Sequence, residues 1–333
     1  MKLSFLQPGA YASRQPVPGG WPVPPEYCDR EAAHRSMEIA VEQCRLADEL
    51  GFDWISVSEH HYAPRLMTPN PIVLAAALTQ VVQRAKLALL GPLLPMSNPV
   101  RIAEEIAMFD AINGGRTVVL FLRGTAGEHL TYGADPAHSR EMTQEGVELI
   151  LRAWTEPQPF SWQGRYFKFR TVSVWPRTLQ EPHPPVYYSG NSLESAEFAA
   201  RHRLGMAMSF LPRERAAEHV AFYKQVAREC GWEPGREHVL YRALAHVAPT
   251  DEQAQEVMRG RPAARDDSDA GSGGAGFGGI QFLGGPETVL DKARGFHEAG
   301  VGVLDVAFSG GNGRRSMEIF AAQVMPALRE LEP

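Results

Sequence analysis

The stretch Lys86–Leu122, "KLALLGPLLPMSNPVRIAEEIAMFDAINGGRTVVLFL", decides the fold. An apolar strand-like run ("KLALLGPLL") leads into an amphipathic helical segment over Pro99–Ile112, and a second apolar run ("RTVVLFL") follows. Working outward, the same alternation extends in both directions. Upstream lie "KLSFL", a helix over Arg30–Leu50, "DWISV" and a helix over Pro71–Gln83. Downstream a helix over Ser139–Trp154 is followed, after a pause, by "PPVYYS" and a helix over Ser192–His202. Next come "LGMAMSF" with a helix over Arg213–Cys230, "VLYRALAHVAP" with a helix from Asp251, and "VGVLDVAFS" with a last helix over Ser316–Leu331.

Eight strand-like runs, each paired with a helix, predict an α/β fold of the (β/α)₈ or TIM-barrel kind. Such a barrel takes about 250 residues, and the chain has 333, which leaves room for insertions. An open doubly wound sheet is the structural rival. No G-x-G-x-x-G follows the first strand, which counts against it. One insertion, 156–185, is rich in proline and aromatics and reads as a hairpin and loop within a single barrel domain spanning 1–333. Another, 261–285, is glycine-rich and without periodicity. It reads as a mobile segment in the last third of the chain, either a surface loop or a lid that orders over substrate.

Composition narrows the function. The chain is 44% hydrophobic and 22% charged with a formal charge of −6. No block of like charge gives reason to expect nucleic acid or an anionic membrane, so the expected partner is a small molecule. Cys28, Cys44 and Cys230 are scattered and form no C-x-x-C, which argues against a disulfide framework or a structural zinc site and suits a reducing cytoplasm. No segment approaches the roughly 20 apolar residues of a membrane span, and the N-terminal stretch lacks a signal-peptide core.

Candidate chemistry gathers at strand ends. In "DWISVSEHHY", Trp54, Ser56, Ser58 and His60 share one parity, and Ile55 and Val57 share the other. The apolar pair suits the helix side, so His60 is expected at the carboxyl mouth of the lumen, where barrel active sites lie. His60 or its neighbour His61 reads as a catalytic base rather than as a metal ligand, because adjacent residues point apart and cannot readily share one ion.

Arg123 directly follows the fourth strand, Arg140 opens the next helix, and Gly190, Asn191 and Ser192 lead from the fifth strand into a helix N-terminus. Guanidiniums and free helix N–H groups together suit a phosphate, while Asn191 or Ser192 alone could be a simple N-cap. Gly91, between Leu90 and Pro92, reads as a close backbone approach by a ligand or as a bulge.

Four segments, "SEHHY" (58–62), "LLPMSNPVRIAEEIAMFDAINGGR" (93–116), "FLRGTAGEHLTYG" (121–133) and "GNSLESAEFAARHRLGMAMSF" (190–210), closely resemble, in order and spacing, the bacterial luciferase-like flavin monooxygenases. The likeness runs from Leu3 to about Phe210 and is weaker beyond. It implies a barrel that binds reduced FMN supplied by a separate flavin reductase. That flavin reacts with O2 to a flavin hydroperoxide and oxidises a small organic substrate. His60 matches the family's proposed catalytic base and His61 its neighbour. Arg123 and Arg140 match the phosphate-holding arginines, and Gly190, Asn191 and Ser192 fall on the phosphate-contacting turn. Leu90–Gly91 sits where the family often has a non-proline cis peptide under the flavin. Leu122 stands where luciferase has a cysteine, so light emission is not implied. The family's dimers also imply a homodimer packed through the helices after the second and third strands. The glycine-rich segment falls where the family has its mobile lid.

Three other readings remain. A deazaflavin-dependent oxidoreductase of the same superfamily would use a similar barrel. A metal-dependent barrel hydrolase would use His60 and His61 as ligands. A noncatalytic flavin-binding protein would keep the cofactor cradle alone.

Overall fold

The structure, a computed structural model, describes residues 1–333 except 14, 19, 63–65, 260–278, 310–312 and 332–333. Its elements are β1 (Lys2–Gln7), α1 (Arg30–Leu50), β2 (Trp54–Val57), α2 (Pro71–Leu78), β3 (Lys86–Leu93), α3 (Pro99–Ile112), β4 (Thr117–Leu122), α4 (Ala126–Tyr132) and α5 (Ser139–Thr155). They continue with β5 (Phe160–Gln163), β6 (Lys168–Val172), β7 (Val186–Ser189), α6 (Leu193–Arg201), β8 (Gly205–Ser209), α7 (Arg213–Glu229), β9 (Val239–Val247) and α8 (Asp251–Arg259). The last are β10 (Phe282–Gly284), α9 (Pro286–Glu298), β11 (Val303–Phe308), α10 (Gly313–Gln323) and α11 (Met325–Arg329).

Eight parallel strands close in the order β1-β2-β3-β4-β7-β8-β9-β11, with β11 returning to β1 through Ser4 opposite Asp305. The fold is a TIM barrel with its helices outside. Residue parity divides two cores, as a closed barrel requires. Trp54, Leu90, Leu120, Tyr187, Leu240 and Val303 fill the lumen. Ile55, Val57, Leu89, Phe121, Tyr241 and Val306 pack under the helices.

Local chemistry explains why these segments start and stop where they do. Asn98 caps α3 by accepting from the N–H groups of Val100 (3.0 Å) and Arg101 (3.3 Å), and Pro99 takes the first helical position, where no N–H is needed. Asp29 caps α1 through Ala32 N, and Gly51 ends it at φ +91°, a conformation a side chain would strain.

Several elements differ from the sequence expectation. The second helix stops at Leu78 rather than Gln83. The last helix is two, because Pro326 offers no N–H to the preceding turn and its ring crowds the carbonyl there. α4, β10 and α9 were not anticipated. β10 extends the edge of β9 at Ala245–Val247. Of the expected lid segment 261–285, residues 261–278 lie outside the described residues, and its end is not loop throughout, since Phe282–Gly284 is β10.

Between α5 and β7 the antiparallel β5–β6 hairpin is clasped by Glu145, which accepts from Trp162 Nε1 (3.1 Å) and the N–H groups of Tyr166 and Phe167 (2.9 Å each). The chain then returns past buried Asp110, which takes the N–H groups of Leu179 and Gln180 at 2.8 and 2.9 Å. These two carboxylates fix α5 and the entry to β7, the elements that carry Arg140 and Gly190. Among the described residues no helix is long and apolar enough to cross a membrane.

Candidate active site

The lumen parity of β2 brings His60 to the carboxyl mouth. Trp54 lies in the lumen core, Ser56 bonds to Asp305 past the intervening β1, and His60 follows the carboxyl end of β2. His60 Nδ1 is 3.0 Å from Glu128 Oε1. An ionised carboxylate only accepts, so Nδ1 carries the hydrogen and Nε2 of the neutral ring keeps a free lone pair, a tautomer assigned from the network.

Glu128 is the third residue of α4 and completes a capping box: it takes the Thr125 N–H at 2.7 Å and gives its own N–H to the Thr125 hydroxyl. Burial is the largest influence on its carboxyl and pushes it up. The hydrogen bond and charge of His60, with the Thr125 N–H, outweigh that and hold it below the usual carboxylate range.

His61 is placed differently. Its Nε2 lies 3.0 Å from Glu59 Oε1 and its Nδ1 3.3 Å from the Tyr132 hydroxyl, so both nitrogens are engaged. Glu59 uses its second oxygen on Leu93 N. Trp21 donates to the His61 carbonyl and stacks on Tyr62. The side chain of His61 is 3% exposed and that of His60 24%, so only His60 offers a free nitrogen to the mouth. No group of three or more His, Cys, Asp or Glu residues is arranged to hold a metal among the described residues.

The second group lies at the ends of β4 and β7. The Arg123 guanidinium makes no hydrogen bond or ion pair among the described residues, while its carbonyl accepts from His129 Nε2. Arg140, on the first turn of α5, reaches Glu194 on the first turn of α6 at 3.5 Å. Burial pushes the Tyr188 phenol up, and the charges of Arg140 and Arg123 pull it back down.

Asn191 and Ser192 are committed to the turn itself. Asn191 exchanges two hydrogen bonds with the Ser209 backbone, at 2.8 and 3.1 Å, and Ser192 caps α6 by accepting from Ser195 N. A Cβ on Gly190 would fall 2.2 Å from Met206 Cγ, so glycine is what lets β7 and β8 close here. Arg123 and Arg140 remain as anion donors, the Ser195 N–H of α6 being taken by its cap, and two guanidiniums suit a phosphate.

Leu90–Gly91 requires a correction. The cis peptides among the described residues are Trp21–Pro22, Trp175–Pro176 and Glu181–Pro182, and Leu90–Gly91 is not one of them. The chain passes this point by a register shift between Leu90 and Leu93 against β4. A Cβ on Gly91 would lie 2.6 Å from both Leu120 O and Leu122 Cγ, so the glycine serves a close strand approach. Leu122 packs on the lumen core from the mouth side.

Sequence reading missed Glu128, although T-x-x-E after a strand is a readable capping signal. It also missed the polar layer inside the lumen. Asp305 accepts from Ser4 Oγ (2.7 Å), Ser56 Oγ (2.6 Å) and Arg242 Nε (2.9 Å), and its side chain is fully buried. The signal was a charge at lumen parity in "VLYRALAHV" and again in "VLDVAF".

A carboxylate-held histidine after β2 and the guanidiniums at the ends of β4 and β7 stand at the same mouth of the barrel. The chain matches the luciferase-like monooxygenase profile over residues 18–302 and belongs to that family. It is 27% identical over 242 residues to the alkanal monooxygenase alpha chain of Photorhabdus luminescens, covering 71% of this chain and 64% of that one, so the match spans just under two thirds of the relative. Two solved structures share the fold. The oxygenating constituent of 3,6-diketocamphane monooxygenase from the CAM plasmid of Pseudomonas putida, in complex with FMN, matches with a TM-score of 0.76 at 21% identity over 100% of this chain and 99% of that one. An F420-dependent secondary alcohol dehydrogenase, with an F420-acetone adduct, gives 0.79 at 18% over 99% of both chains.

Proposed function

We propose that the chain is the oxygenating component of a two-component monooxygenase that takes reduced FMN from a separate flavin reductase and oxidises a small organic substrate with O2. The observation that carries this reading is the unpartnered Arg123 guanidinium at the end of β4, with Arg140 reaching the first turn of α6, at the same barrel mouth as a histidine with one free nitrogen. FMN bound there would supply the oxygen-activating chemistry. Arg123 and Arg140 would hold its phosphate by charge-assisted hydrogen bonds. The exposed Arg140–Glu194 contact is weak enough to yield to it.

His60 takes or delivers a proton at Nε2, and Glu128 fixes its tautomer and stabilises the imidazolium when it forms. His61, bonded at both nitrogens, braces the mouth beside it. The FMN-bound neighbour and its description as an oxygenating constituent support both the cofactor and the reductase partner.

The test is anaerobic titration of the protein with reduced FMN, followed by absorbance after oxygen is admitted. Tight binding and a reoxidation rate unlike that of free flavin support the proposal. No binding, with reoxidation at the free rate, sinks it. Arg123→Met is expected to weaken FMN binding about tenfold or more, the loss of one charged hydrogen bond. The F420-dependent neighbour supports a second reading, so the same titration is run with that deazaflavin, and preference for it would replace FMN.

The chain is also read as a cytoplasmic homodimer. Val73 on α2 and Met108 and Ile112 on α3 leave large apolar side chains exposed on the two helices that would pair. Cys28 is free and exposed, as in a reducing compartment. Light scattering should give twice 36.7 kDa, and a monomer mass refutes the dimer.

A further inference from the structure

Buried polar atoms nearly always find a partner, so an unpartnered one asks for a ligand. Among the described residues the unpartnered buried side-chain atoms include Ser58 Oγ, Arg242 Nη2 and His246 Nε2. All three stand on lumen parity. Ser58 continues the Trp54–Ser56 row of β2, and Arg242 and His246 continue the Leu240 row of β9, whose alternate residues Tyr241, Ala243 and Ala245 pack under the helices.

Arg242 is the centre. Its side chain is 9% exposed, and its Nε donates to Asp305 Oδ2 while the Ser4 and Ser56 hydroxyls fill Oδ1. The carboxylate neutralises the guanidinium and is itself satisfied, which leaves an N–H of Nη2 to spare. An anion placed there would meet a buried carboxylate, and a hydrocarbon would leave the N–H bare. A neutral oxygen acceptor fits both conditions. Farther along β9, His246 Nδ1 lies 2.9 Å from the Ser309 carbonyl, so Nδ1 carries the hydrogen and Nε2 accepts. The lumen wall therefore offers a donor at Arg242, an acceptor at His246 and a hydroxyl at Ser58.

We propose that Arg242, held by Asp305, with Ser58 and His246 farther toward the mouth on lumen parity, forms a polar subsite for a neutral carbonyl or hydroxyl oxygen of the substrate, making this a ketone or phenol site rather than one for a plain hydrocarbon chain. The assignment of that ligand as the substrate rests on the monooxygenase reading, but its binding does not. The oxygen has two possible sources, the substrate and a ring carbonyl of the cofactor, and the test separates them.

Flavin-free protein is titrated by ligand-observed NMR with acetophenone and with ethylbenzene, a pair that differs by one carbonyl. Wild type is expected to bind the ketone about tenfold tighter, the discrimination that one buried donor gives. Arg242→Met/Asp305→Asn, which removes both charges together so that neither is stranded, is expected to bring the ratio to about one. Its fold is checked by circular dichroism, and Ser58→Ala, which leaves the ion pair whole, should reduce the ratio without abolishing it. Equal binding of the two probes by wild type, binding of neither, or an unchanged ratio in the double variant overturns the proposal. If the double variant instead loses about tenfold in FMN affinity while wild type does not prefer the ketone, the oxygen belongs to the cofactor ring and the substrate assignment falls. Failure of wild type to bind FMN would sink the flavin reading and leave the probe ratio readable.

Discussion

His60 and His61 are adjacent in the chain, and each lies 3.0 Å from a glutamate, yet the fold gives them opposite surroundings. His60 spends one nitrogen on Glu128 and keeps the other. His61 spends both, on Glu59 and Tyr132, beneath Trp21 and Tyr62. Residue type and spacing make the pair look equivalent, but one step along the chain leaves one ring partly exposed with a free nitrogen and buries the other between two partners. A histidine's task is therefore set by what meets its second nitrogen.

The sharpest way to break this contrast is to delete the free ring. His60→Ala should lower flavin-dependent turnover by about 10²–10⁴-fold, the usual yield of a positioned acid or base, with FMN affinity nearly unchanged. Equal turnover at saturating flavin would end the assignment of His60. Next in size is Glu128→Gln. The amide oxygen can still accept from Nδ1, so the ring stays aimed, but the charge that favours the imidazolium is gone. Turnover should drop about tenfold, the scale of one charged hydrogen bond. The pH profile should shift with it, whereas a purely structural role would leave the profile in place.

His61→Gln should act on the fold instead. Its amide nitrogen can keep the bond to Glu59, but the acceptor for Tyr132 and the packed ring are lost, at a cost of about 1 kcal/mol, which should lower the melting temperature while turnover of the folded protein stays closer to wild type than in His60→Ala. A reversed ranking, with His61→Gln the slower enzyme and the more stable protein, would exchange the two roles.

The barrel was legible because its signals are local and repeated. α1 and α3 begin and end at the predicted residues since Asp29, Gly51, Asn98 and Pro99 mark their ends in side-chain chemistry. Parity puts Trp54 in the lumen core and Ile55 and Val57 under the helices, because a strand's period of two leaves little freedom. What sequence could not supply was partnership across the barrel. Glu128 is 68 residues from His60 and Asp305 is 63 from Arg242, and no pattern within one segment shows which charges will meet. α4 escaped because seven residues hold too few turns for a periodic signal. Pro286–Glu298 escaped because the glycine-rich stretch before it obscured its start, though a proline at its first position and Glu287 in its first turn were visible. The cis-peptide expectation at Leu90–Gly91 came from resemblance alone, whereas the bulge reading of Gly91 came from the residues and holds. Here the local backbone meets the close approach of β4 by a register shift.

The smallest effect tests the ionisation on which the His60–Glu128 pair depends. Glu128 is held below the ordinary carboxylate range in the fold: burial works against this, but the His60 contact and the Thr125 N–H prevail. A carboxyl depressed on folding stabilises the native state above its unfolded value, near 4.3, and that contribution drains away as pH falls through the folded value, because the unfolded chain then binds the proton more readily. Glu128→Gln cannot titrate. Urea midpoints of wild type and Glu128→Gln should therefore differ most near neutral pH and converge in acid, where a protonated glutamic acid resembles the amide. The gap should close only below the unfolded carboxyl value, since the folded group is the last to protonate. A gap that stays constant from pH 7 to pH 3 would mean that Glu128 gains nothing from its charge in the fold, and the carboxylate would have to be replaced as the group that orients His60.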